Sequence, residues 1–170
     1  MTLTWISSDG GPLLLVEKSL VSDWQGVSTL QTNGAEDGPP ADYDRACSIE
    51  DYVGLIAVGT GEALVLGDEP MQTSWLAVSD REGILIRWQW AADEESVRNT
   101  LHEIIEAAWE STDVRFEIKT GELLLFDAAY PGDEIESSLV INLSAGEYSV
   151  NTAFWRPEDE TSLILHRLRR

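Results

Sequence analysis

The acidic side chains are where chemistry would first be sought. Asp42, Tyr43, Asp44, Glu50 and Asp51 fall within one stretch, and Asp68 with Glu69 sit in the turn that closes the next hairpin pattern. Paired carboxylates can hold a divalent cation or exchange protons with a substrate. Neither use has its spacing here: there is no calcium-loop pattern, no HExxH and no carboxylate–histidine ligand set. His102 has Glu106 four residues on, which would supply only part of a metal site. A surface histidine paired with a carboxylate is the better reading. Gly59-Thr60-Gly61 lacks the third glycine and the following helix start that a phosphate cradle requires, so it reads as a hairpin turn. Cys47 is the single cysteine, with no nucleophile motif around it, and is expected to be a small buried packing residue. No catalytic residue, metal or cofactor is predicted. The acids read as solvated surface or as protein interface.

Most of the elements that must carry these residues are strands. The run 84–90 alternates, with Ile84, Ile86, Trp88 and Trp90 on one face and Leu85, Arg87 and Gln89 on the other. Residues 13–16 form an apolar run typical of a buried strand, and 17–24 a short helix or irregular turn. Residues 25–41, with Gly26, Gly34, Gly38, Pro39 and Pro40, read as a long surface loop. Asp42 is expected to cap a short helix over 43–47. Hairpins are expected at 53–58 with 62–66, at 73–78 with 83–90, and at 138–143 with 148–155. Further strands are expected at 114–119, 123–126 and 161–168.

One helix is expected over 94–110, capped by Asp93, with Val97, Leu101, Ile104, Ile105, Ala108 and Trp109 as its apolar stripe. The fold class is therefore α+β: a mostly antiparallel sheet of about nine to ten strands packed around that central amphipathic helix. The length suits a single domain over 1–170. TGEALVLGDEP at 60–70 resembles TGELLLFDAAYP at 120–131. That suggests a candidate duplication of halves 50–92 and 113–168 joined by helix 94–110.

Charge is the strongest global signal. There are 31 acidic against 11 basic residues, a formal net charge of −20. Such a field repels nucleic-acid phosphates and anionic membrane surfaces, and it speeds encounter with basic partners. Solubility is the plainer reason for the same charge. The one basic patch, around His166, Arg167, Arg169 and Arg170, is too short to argue nucleic-acid binding and is expected to pair with acids elsewhere in the chain. One cysteine allows no intrachain disulfide and fits a reducing cytosol. The first residues carry no signal-peptide pattern, and no apolar run is long enough to span a bilayer. The expected location is therefore cytoplasmic.

The strings WISSDGGPLLLV at 5–16, DYDRACSIEDYVGLI at 42–56 and ALVLGDEPMQTSW at 63–75 are similar to the immunity protein 21 family of bacterial polymorphic-toxin systems. GELLLFDAA at 121–129, GEYSV at 146–150 and SLILHRLR at 162–169 extend the resemblance over most of the chain. It implies a cytoplasmic antidote, not an enzyme, that binds a cognate toxin domain and blocks it. The charge adds a physical expectation: an acidic surface would plug a basic toxin site, such as the cleft of a nuclease, with fast, salt-sensitive association. The candidate contacts are Asp42, Tyr43, Asp44, Glu50, Asp51, Asp68 and Glu69, while packing is the favoured role for Tyr52, Gly67 and Trp75. The alternative is an acidic α+β domain that binds a metal or small ligand, or hydrolyses one, through its carboxylate clusters.

Overall fold

A strand can bury every residue only if both of its faces are covered. Residues Leu13–Glu17 do so: all five are buried. The computed structural model describes residues 3–27, 39–67, 69–157 and 160–170. The strands are β1 (Trp5–Ile6), β2 (Leu13–Glu17), β3 (Gly54–Val58), β4 (Gly61–Leu66), β5 (Thr73–Ser79), β6 (Glu82–Ala91), β7 (Glu110–Ile118), β8 (Glu122–Asp127), β9 (Leu139–Asn142), β10 (Gly146–Trp155) and β11 (Thr161–Arg169). The helices are α1 (Asp42–Cys47) and α2 (Glu94–Thr100), with 3-10 turns at Lys18–Asp23 and Ile104–Glu106. Of the loop expected over 25–41, residues 28–38 lie outside the described ones.

The strands make two antiparallel sheets. One has six strands in the order β1-β5-β6-β11-β10-β7, the other five in the order β3-β4-β2-β8-β9. The sheets pack on each other through one shared apolar cluster. It joins Leu14, Leu64 and Leu125 of the smaller sheet to Leu85, Phe116 and Tyr148 of the larger. The same cluster takes in Leu20, Val21, Trp24 and Ala46, from the first 3-10 turn, the residue after it and α1. Trp24 is fully buried and its Nε1 donates to the Ala128 carbonyl at 2.9 Å. The turn between β3 and β4 is Gly59-Thr60, because Val58 pairs with Gly61. Gly59 has φ +52, and a Cβ there would overlap the Asp23 carboxylate.

Three sequence expectations are corrected. The helix expected over 94–110 stops at Thr100. Asp93 does cap it, Oδ1 accepting from Ser96 N at 2.8 Å. But the Thr100 hydroxyl bonds back to Val97 O at 2.9 Å, and Glu110 is claimed by β7, opposite Thr152 of β10. The apolar stripe survives the break only in part: Val97 and Ile104 still meet the larger sheet, on Ile84, Ile86, Leu163 and Leu165, but the buried alanine is Ala107, and Ala108 of the expected stripe is exposed. Nor is the helix central. It covers the outer face of the larger sheet, while the two sheets meet each other directly. Finally, 138–143 does not form a hairpin with 148–155. β9 pairs with β8, and β10 lies between β7 and β11. The intervening turn is a crossing between sheets, as is the turn at 119–121.

Candidate functional site

The alternation of β6 points Arg87 the same way as Leu85, toward the smaller sheet, and buries it to 2% exposure. Its Nη1 donates to the Tyr52 carbonyl at 3.1 Å, and its Nη2 to the carbonyls of Gly67 at 2.6 Å and Glu69 at 2.9 Å. The Gly67 amide also donates to the Tyr52 carbonyl, at 3.1 Å. The segment 49–53, which carries Glu50 and Asp51, and the residues Gly67 and Glu69 are thus tied to each other and to β6. Charge-assisted bonds of this kind are stronger than neutral ones. Gly67 makes the approach feasible, since a Cβ there would overlap the Asp51 carbonyl.

His166 of β11 lies beside this cradle and is fully buried. Arg87 Nη1 stands 3.4 Å from its Nε2, and Thr152 Oγ1 2.8 Å from its Nδ1. A guanidinium has no acceptor, so Nε2 receives and the proton sits on Nδ1, donating to Thr152. Burial, and then the Arg87 charge, push the His166 pKa down to about 3. The ring is neutral at physiological pH.

The predicted residues fall into different roles. Asp42 is the first residue of α1, not its cap; Ala41 holds the cap position. Its Oδ1 pairs with Arg45 Nη1 at 2.7 Å and its Oδ2 accepts from Gln25 N at 2.9 Å, so it fastens the helix to the preceding segment. Tyr43 is half-buried against Gly11. Its phenol is pushed up by burial, then by its hydrogen bond with Cys47 and the charges of Asp127 and Asp44. Asp44, Glu50, Asp51 and Glu69 are exposed. Gly11, Tyr43, Cys47, Glu50, Gly67 and Glu69 line a common cleft of about 450 Å³. Asp42, Asp44 and Asp51 are not among its lining. Asp68 lies outside the described residues.

Several other expectations change. Cys47 is exposed rather than packed, because Ala46 takes the buried position at that end of α1. Tyr52 is exposed, and its ring meets the exposed Phe154 edge to face at 5.2 Å. Trp75 keeps its expected packing against the shared core. His102 pairs with Glu103 at 3.0 Å, not with Glu106, since the helix that would align the latter has ended. Among the described residues no three His, Cys, Asp or Glu converge as metal ligands. Of the C-terminal basic patch, two members pair with acid as expected: Arg167 meets Glu82 at 2.6 Å and Arg169 meets it at 3.8 Å, while Arg170 donates to the Ala145 carbonyl and His166 faces Arg87 and Thr152. Arg87 escaped the sequence reading as anything but a face residue. Its signal was a lone cation inside the apolar run ILIRW.

Residues 4–161 match the family model described as Immunity protein 21. The chain belongs to the immunity protein 21 family. No curated protein and no solved structure matches it. The matched span contains Arg87 and both acid-bearing segments. No helix among the described residues is long and apolar enough to cross a membrane.

Proposed function

We propose that this chain acts in the cytoplasm as an immunity protein that binds and neutralises a cognate toxin, setting its acidic rim against a basic toxin site such as a nuclease cleft. The family match over 4–161 carries the reading. The net charge of −20 and the exposure of Asp44, Glu50, Asp51 and Glu69 support the electrostatic part. A rim of acids fixed by its backbone gives fast, steered association with a basic partner and none with nucleic acid or an anionic membrane. On this reading the chain blocks chemistry and performs none. Asp42, committed to Arg45 and Gln25, is the weakest of the candidate contacts.

Co-expression with the toxin domain encoded beside it tests the reading. Growth rescue and a complex that survives purification are expected, with affinity falling as salt rises. No rescue and no complex would remove the function. A complex indifferent to salt would remove the acidic mechanism alone.

A further inference from the structure

We propose that the exposed Tyr52–Phe154 pair is the anchor by which this chain grips the toxin, receiving an arginine or lysine side chain from the toxin's basic face. This rests on the function proposed above and names the part of the surface that carries the affinity. Tyr52 and Phe154 come from distant parts of the chain and stack edge to face at 5.2 Å, at 36% and 49% exposure. Aromatic residues are enriched in protein interfaces, and Tyr is among those enriched at their energetic hot spots.

The pair is also held ready. The Tyr52 carbonyl accepts from both Arg87 Nη1 and Gly67 N, at 3.1 Å each, so the loop needs little further ordering on binding. The neighbouring acids select the occupant. Glu50 and Asp51 immediately precede Tyr52 and are exposed, so an approaching cation is drawn to the place where two ring faces can receive it. Arg156, two residues past Phe154, is engaged by Ser162 Oγ at 3.0 Å and Gln89 Oε1 at 3.5 Å. The chain's charge of −20 is complementary to a basic partner and opposed to self-association through this face.

The experiment measures binding of the adjacent-gene toxin domain, inactivated by substitution, to wild type, Y52S, F154S and F154L, at low and high salt. V140S is the control, since Val140 is exposed to a similar 51%. Y52S and F154S are expected to weaken binding by about 10- to 100-fold, mainly through faster dissociation and with an unchanged salt slope. F154L, which keeps an apolar side chain but no ring, is expected to fall between, and V140S to bind as wild type. Urea midpoints identify any variant whose loss comes from unfolding; F154L then carries the test. If wild type binds and the folded ring variants bind equally well, the anchor is overturned while the immunity function stands. An equal loss in V140S overturns it too. If wild type itself does not bind, the function falls and takes the anchor with it.

Discussion

The two ends of β2 are organised around opposite charges. At its C-terminal end Glu17, 3% exposed, gathers N–H groups: Oε1 accepts from the amides of Lys119, at 2.9 Å, and of Thr120, and from the Thr120 hydroxyl at 2.7 Å. Beyond its N-terminal end Arg87 gathers carbonyls from Tyr52, Gly67 and Glu69. The carboxylate serves one turn, the crossing from β7 to β8. The guanidinium serves two separate segments and so determines where their acids stand. A buried charge at the first end secures the fold, whereas at the second it also positions a surface.

The largest expected effect comes from removing the cation. Arg87→Met strips three carbonyls of a charged donor and should cost about 3–5 kcal/mol in urea unfolding. Hydrogen exchange should rise in 49–53 and 67–70 while β8 stays protected. A loss below about 1 kcal/mol would end the contrast between the two ends. Glu17→Gln keeps an acceptor but loses its charge, with an expected cost of about 1.5–3 kcal/mol. It should leave toxin affinity unchanged, whereas Arg87→Met should weaken it. Equal effects on affinity would show that the ends are not distinct.

The ends should also separate by pH. His166 is neutral in the fold, with its pKa lowered from 6.5 to about 3, so the unfolded chain takes up the proton first as pH falls. Stability present above 6.5 is lost progressively below it, by about 2 kcal/mol between pH 7 and pH 5. Burial works to raise the Glu17 pKa, but the bonds from Thr120, Lys119 and Gly121 outweigh it and lower the pKa from 4.5. The contribution of Glu17 is therefore lost only below 4.5, as pH falls through the lowered value. In His166→Asn the decline between pH 7 and pH 5 should vanish; its persistence would locate the titration elsewhere. The smallest stability effect is expected for Glu50→Gln with Asp51→Asn, within about 0.5 kcal/mol of wild type. That pair should instead slow association and flatten its salt dependence.

Strand positions were legible because alternation and apolar runs are local: β2, a hairpin turn around Gly59-Thr60-Gly61 and the faces of β6 follow from spacing alone, although Gly61 itself joins β4. Partnership was not. The turns at 119–121 and 143–145 have the composition of hairpin turns, yet the chain changes sheets at both. The stripe from Val97 to Trp109 reports contact with a sheet, which a broken helix also satisfies, with Ala107 buried in place of Ala108. The acids of the rim were visible one by one. Their common support was not, because Arg87 acts on backbone carbonyls, which leave no trace in side-chain identity. For the same reason Asp42 looked equivalent to Glu50 until its partners Arg45 and Gln25 were seen.

β11 pairs with both β6 and β10 and so lies in the interior of the six-stranded sheet, although it is the last of the described strands along the chain. While the ribosome still holds residues 161–169, β6 and the β10–β7 pair have no strand between them and Arg87 has no His166 beside it. The pairing that closes the sheet spans Glu82 to Arg169, a long loop to close, and such contacts form late. Closure of the larger sheet must therefore await the emergence of residues 161–169. A copy that stops before residue 161 has an open seam between β6 and β10.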